Sequence, residues 1–476
     1  MPWNEKRFNQ FKGWVSDMSP SSIPDGYFSK FQNINMENPT YLETRKGCNL
    51  VCTCTASSDV HGIFFDANLE TPRLYTVSDG KLWYRELNDS TFTAVDGNLT
   101  DGYDVSFVKF YNNIYMVSEK DPIMRYHGTK ITTVAEGLYT PPTGKFIYEW
   151  NERLFTGNGR YFYYSDVGSG DGWSSYIVMP SNIITSMVIN EYPVIFCEDG
   201  IYQLEYDPVF TFAYRAVKRG IRPVSAGAVV VSDTGVAVVT KDGLYTFDDN
   251  GVVSKTKELH DNFFQKASGM GMDTVSGFHK NGIYYFSMPY DGHKNNCMFV
   301  YDSQFERFGL YTGTFAECVK FTVDEESNHY YGMDNSGNLY RLFISFNDDG
   351  SAIEFDVMIP LDMDSSIRYK EFWSIYSAVE LTGNDSLLFE YGPGNTRVTS
   401  SASLASSNRW GTGKWGTMTW GDEPHVIMDY PVASGYSTGE LIIVRAYSNN
   451  ADTPTKIHSF SVEWRPKTGR LTGNNY

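Results

Sequence analysis

Cysteine is scarce in this chain: Cys48, Cys52, Cys54, Cys197, Cys297 and Cys318 are too few and too scattered to staple 476 residues into a disulfide scaffold. No histidine or second cysteine pair stands near Cys48, Cys52 and Cys54 to complete a zinc set, so these three read as small buried hydrophobes on one strand face. Histidine is sparse as well, and the eight never occur as an i, i+4 pair that could grip a metal from one helix face. No apolar run reaches the roughly 18 residues of a membrane-spanning helix, and the N-terminal MPWNEKRFNQF has no apolar signal core. The expectation is a protein made in a cytoplasm, with no membrane span. Long amphipathic helical periods are missing too. So are a Walker A loop, a GxGxxG turn, HExxH and GxSxG, which leaves no catalytic, cofactor-binding or metal residues to nominate.

Positive charge is also short. The chain carries 57 acidic against 39 basic residues, a formal net charge of -18, and general adhesion to nucleic acid needs the reverse balance. One local exception is the segment holding Arg215, Lys218, Arg219 and Arg222. It reads as a solvated strand-to-loop stretch, as a contact for an acidic protein partner, or, last, as a DNA contact.

What the chain has in abundance is aromatic side chains, 34 Tyr and 31 Phe, and a repeated local pattern. Aromatic and β-branched residues pack well on half-buried pleated faces, which favours an all-β fold. Seven stretches run as β segment, tight turn, β segment, turn, β segment. Their second segments start at Arg73, Asn113, Arg153, Pro193, Gly235, Gly282 and His329, at steps of 40 to 47 residues. The turns Asp79-Gly80, Asn158-Gly159, Asp199-Gly200, Asp242-Gly243 and Ser336-Gly337 can supply the positive φ of a two-residue hairpin. Candidate outer strands follow, among them TFTAV from Thr91, SYIVM from Ser175 and FDVMI from Phe355. Four strands per unit at this period is the blade formula, and it predicts a β-propeller of about seven blades over residues 56–364.

Residues 1–55 mix Pro20, Pro24 and Pro39 with Gly13, Gly26 and Gly47 and read as an extended arm. Such an arm can add a strand to a sheet edge or close a propeller by pairing with its last blade. From 365 to 476 longer alternating runs start at Phe372, Ser386, His425, Glu440 and Lys456, which predicts a C-terminal β-sandwich, with a frayed tail LTGNNY. Within it, RWGTGKWGTMTWGD places Trp410, Trp415 and Trp420 each before a glycine. Two readings stand: a loop folded over the sandwich core, or an aromatic contact patch. Ser165 to Trp173 is similar to the structural Asp-box turns of sialidase-like propellers, and Asp334 to Asn338 partly matches a calcium loop but lacks the downstream Glu, so a hairpin turn accounts for it. Gly-His to Trp-Asp pairing at blade spacing, the mark of WD-repeat scaffolds, does not recur.

The order of arm, propeller and C-terminal β domain resembles the tail hub or nozzle proteins of short-tailed bacteriophages, also called packaged-DNA stabilisation proteins. Three stretches carry the resemblance: the arm with Gly13, Asp17, Pro24, Gly26, Asn33 and the closing Arg45-Lys46-Gly47; CMFVYDSQFERFGLY with Val300-Tyr301-Asp302 and Phe308; and NHYYGMDNSGNLYRLF. The resemblance implies a structural virion tail protein, not an enzyme and without cofactors. It would be a homo-oligomer, as a hexamer, beneath the portal and adaptor rings and would carry tail fibre or needle proteins. DNA would pass through its channel without sequence-specific binding. An acid excess suits that, since an acidic lumen repels phosphate at short range. Arg215, Lys218, Arg219, Arg222, Trp410, Trp415 and Trp420 are then the candidate interface. The competing expectation, from the many Tyr and Trp and the Asp-box-like turn, is a glycan-binding or glycan-cleaving propeller used in host attachment.

Overall fold

Second strands of the repeats are mostly buried, and that decides where they lie. A strand such as Gly235–Thr240 (GVAVVT) or Ile283–Pro289 (IYYFSMP) is buried at every residue, as expected of a strand covered on both faces rather than one. The computed structural model describes all residues except 1, 55–58, 68–69, 135–140, 174, 208–210, 234, 249–250, 258, 365–367, 382–385, 394–396, 404–425, 436 and 468–476. Its described elements are nearly all strands, and they group into two compact units.

One unit comprises Asn49–Met298 and Thr314–Leu342. It opens with five consecutive four-stranded antiparallel sheets, each a simple meander: residues 60–94, 105–133, 147–178, 183–219 and 229–254. The paired strands Ser276–Lys280 and Ile283–Pro289 follow, then the meander Lys320–Asp324, His329–Met333 and Asn338–Leu342. The strand Cys48–Thr53 lies beside Asn338–Leu342 as the fourth strand of this last sheet. Thr53 Oγ1 donates to Asn338 Oδ1 at 2.8 Å, and the Cys54 amide donates to the Gly337 carbonyl at 2.8 Å. An N-terminal segment thus completes the last sheet, one of the two roles expected of the arm.

Each sheet packs face to face on the next. Phe155, Phe162 and Tyr164 of the third sheet share a core with Ile195, Tyr202 and Phe212 of the fourth, where Tyr164 and Phe212 meet edge to face at 5.0 Å. Fully burying a side chain such as Phe155 contributes about 2–3 kcal/mol. Ser232 and Tyr284 hydroxyls meet at 2.6 Å, Phe278 and Phe321 rings lie 4.7 Å apart, and Ser276 Oγ donates to the Val319 carbonyl. Cys52 and Cys54 with Tyr331, Met333 and Leu339 then join Phe65 and Leu74 of the first sheet, and the strand Lys320–Asp324 lies against Val60–Asp66. The packing therefore returns to its start.

The other unit comprises Met1–Cys48, Phe299–Gly313 and Phe343–Tyr476. In one sheet, Asn4–Phe8 pairs with Lys456–Pro466, which pairs with Lys370–Glu380, which pairs with Val426–Pro431; Leu42–Glu43 adds to Lys456–Pro466. A second ladder runs from Arg307–Tyr311 through Lys30–Gln32, Phe355–Leu361, Ile442–Ser448 and Ser386–Gly392 to Val398–Ser403. The two touch where Phe389 meets Tyr430 at 4.5 Å and Tyr391 donates its hydroxyl proton to the Pro431 carbonyl.

The division departs from the boundaries read from sequence. Residues 1–48 are no separate arm, because their strands take ladder positions beside Lys456–Pro466 and Phe355–Leu361. Residues 299–313 and 343–364 leave the repeat region for the same unit. FDVMI is accordingly not an outer blade strand: Phe355–Leu361 pairs along its length with Ile442–Ser448. The ten-residue helix Asp261–Met270 has no counterpart in the sequence reading, although it buries Phe263, Phe264 and Ala267 on one side. Among the turns, Asp79 and Gly80 take φ of 54° and 62°, whereas Gly200 is needed for closeness: a Cβ there would stand 2.4 Å from the Lys218 carbonyl oxygen.

Candidate interaction edge

The basic segment belongs to the strand Thr211–Arg219, the outer edge of the fourth sheet. Phe212 anchors it in the core between sheets, and Tyr214 stacks edge to face on Tyr202 at 5.5 Å. Beyond Phe212 the strand turns outward: Tyr214, Arg215, Ala216, Lys218 and Arg219 are all exposed. Its register against Gly200–Asp207 slips once. Arg215 faces Gln203 and Ala216 faces Tyr202, but Lys218 faces Ile201, so Val217 is an extra residue. Without it Arg215 and Lys218, three apart, would point to opposite faces. The bulge puts both on the face of Gln203 and Glu205.

Neighbouring acids hold part of this charge in place. Arg215 donates from Nε to Glu205 at 2.6 Å and from Nη2 to Gln203 at 3.0 Å, and Arg222 donates to Glu198 at 3.0 Å. These pairs are well exposed and contribute little to stability. Burial pushes the Asp199 carboxyl up, but hydrogen bonds from Ser181 and Tyr202 and the nearby Arg219 guanidinium together hold it below its ordinary value. Lys218 makes no ion pair among the described residues. Arg215, Lys218 and Arg219 thus lie on one edge strand and Arg222 three residues beyond its end, while Trp410, Trp415 and Trp420 lie outside the described residues.

The Asp-box-like segment connects the third and fourth strands of its sheet, Tyr161–Tyr164 and Ser175–Val178. Ser169 Oγ accepts from the amides of Asp171 and Gly172, and the buried Trp173 donates to the Gly170 carbonyl. Asp171 reaches the preceding sheet, accepting from Arg125 at 2.5 Å and from Tyr115 at 3.1 Å. Burial and this carboxylate push the Tyr115 phenol up to about 12. The segment is a clamp between sheets. Asp334 spends its carboxylate within its own turn, accepting from the amides of Ser336 and Asn338 and from the Asn338 side chain. Among the described residues no group of three or more His, Cys, Asp or Glu could hold a metal ion. No described helix is long and apolar enough to cross a membrane.

The arm residues that carried the resemblance are packing nodes. Arg45 is buried, with both Nη atoms on Asp348 at 2.9 and 2.7 Å, Nη2 on the Thr312 carbonyl and Nε on Asn33 Oδ1. Gly13 takes a φ of 90° with Phe308 backbone atoms 2.8 Å from where a Cβ would sit. Sequence reading missed one surface: Tyr161, Tyr163 and Tyr176 on the outer hairpin of the third sheet, with ring centroids 5.4 to 6.1 Å apart. Its signal was the alternation in YFYY, where Phe162 and Tyr164 turn inward and Tyr161 outward.

No family model matches the sequence, and no curated protein matches it. Among solved structures, the WD40 domain of Neurospora crassa Pan2 superposes with a TM-score of 0.43 at 12% identity, covering 63% of this chain and 94% of that one. YCF48, solved bound to a D1 peptide, gives 0.43 at 11% identity, covering 65% and 97%. The extracellular domain of the hybrid two-component system BT4673 of B. thetaiotaomicron gives 0.45 at 13% identity, and the chain covers 74% of itself but 45% of that domain.

Proposed function

We propose that this chain is a structural tail component of a short-tailed bacteriophage, a hub or nozzle, built on a closed seven-bladed β-propeller with a two-layered β domain. The observation that carries the reading is the cyclic packing of the repeat unit, in which the last sheet meets the first and an N-terminal strand finishes that last sheet. Radial closure leaves few open edges and gives a stiff body with broad faces, which suits a conduit under load. The arm residues that carried the resemblance hold structural positions: Gly13 packs closely on the Phe308 backbone, and Asn33 and Arg45 are hydrogen-bonded to one another. In this role the protein forms a homo-hexameric ring in the virion tail, assembled in the host cytoplasm. It seals packaged DNA and joins portal and adaptor rings to fibre or needle proteins. A charge of -18 lets duplex slide without adhesion. The test is mass photometry of purified protein with portal-adaptor rings, together with negative-stain imaging of the parent particle. Ring-sized assemblies at the tail are expected; a chain that stays monomeric beside every virion part overturns the reading.

A second reading, a glycan-binding propeller for host attachment, is favoured by the tyrosine cluster Tyr161, Tyr163 and Tyr176, because exposed phenol rings stack on sugar C–H faces. A glycan array separates the two: signal lost on Tyr161→Ala with Tyr176→Ala supports it, and a blank array removes it.

A further inference from the structure

Edge strands expose a row of backbone donors and acceptors, and four of the five four-stranded sheets keep that row short on their outer side. Outer strands of the other four four-stranded sheets have two, three, four and four residues, whereas Thr211–Arg219 has nine. Length of this kind invites strand addition, and the side chains decide what can be added. The Val217 bulge gathers Arg215 and Lys218 onto one face, and Arg219 adds a cation at the strand end. A second copy of the same edge would bring like charges together. Nucleic acid carries no peptide backbone to complete the exposed row of donors and acceptors.

We propose that the outer edge of Thr211–Arg219 docks an extended acidic segment of a protein partner, which joins the fourth sheet as a further strand with alternate carboxylates against Arg215 and Lys218. Backbone hydrogen bonds supply the affinity, and the cations select the partner and set its register. Alternation matters because only every second side chain of an added strand shares a face. This interaction does not depend on the tail reading: any scaffold with this edge would recruit such a segment.

The experiment uses the full-length protein and a fluorescein-labelled decapeptide of alternating Glu and Val, followed by anisotropy at low salt. Saturable binding is expected, weakened about tenfold or more in Arg215→Glu with Lys218→Glu, both of which are exposed. Two further peptides of equal charge carry N-methyl groups on one or the other set of alternate amides. One set should abolish binding and the other leave it intact, since only one set faces the edge. Should the double variant not fold, this comparison on the unaltered protein decides alone. The proposal is overturned if the decapeptide does not bind, if both methylated peptides bind equally, if an oligothymidylate displaces the decapeptide, or if the chain self-associates through this edge.

Discussion

Arg45 shows what one buried charge demands. Its guanidinium is almost wholly inaccessible and is paired with Asp348, itself buried, in a bidentate geometry. Removing the acid strands the cation in low dielectric, so Asp348→Ala is expected to cost about 3–5 kcal/mol, read as a fall in the urea midpoint. Replacing both partners, Arg45→Met with Asp348→Leu, should cost less, because no orphan charge remains. His279 works at smaller scale. Its Nε2 accepts from the Gly282 amide at 3.0 Å, and burial, opposed by Asp233, lowers its pKa. A histidine depressed in the fold binds fewer protons than in the unfolded chain, so its contribution is full above the unfolded value near 6.5 and is lost as pH falls below it. The Tm of the wild-type protein relative to His279→Gln should therefore drop between pH 7.5 and 5; a constant difference would show that this imidazole is not the titrating group.

At the level of elements, the strand Cys48–Thr53 joins its sheet beside Asn338–Leu342, and Thr53 donates to Asn338. Cys52 and Cys54 are buried free thiols in the core that this strand covers, and burial pushes the Cys52 thiol up. Thr53→Ala with Asn338→Ala is expected to speed alkylation of Cys52 and Cys54 severalfold while Cys197 and Cys297 stay protected, as read by peptide mass spectrometry. Equal acceleration at all four would mean global unfolding instead. Repeat starts such as Arg73, Arg153 and Gly235 were legible because hairpin turns and apolar second strands are local signals, and each begins a second strand. The reassignment of Phe355–Leu361 was not, because an alternating strand carries no mark of which distant edge it will join. The Val217 bulge was equally hidden: VKR is an ordinary strand end until register against Gly200–Asp207 is known. The four cations were visible in sequence, and the face that Arg215 and Lys218 share was not.

For the whole molecule the governing quantity is charge. Six copies at -18 each repel one another strongly in a ring, and the repulsion is screened over about 10 Å at 0.1 M salt. If the chain forms the proposed ring, assembly should strengthen as NaCl rises from about 20 to 200 mM, the opposite of an assembly held by ion pairs. Mass photometry across that range gives the sign directly, and assembly lost on adding salt would place attractive charge at the subunit contacts.

The position of the closing strand also bears on how the protein is made. Thr53 leaves the ribosome well before Asn338, its partner, which lies 285 residues further along. At about 5–20 residues per second, translation keeps that strand waiting for tens of seconds before its sheet exists. Thr44 waits longer, since Thr455, to which it donates, is 411 residues away. The segment from Thr44 to Thr53 therefore lacks its partners until residues 285 to 411 positions later have been made.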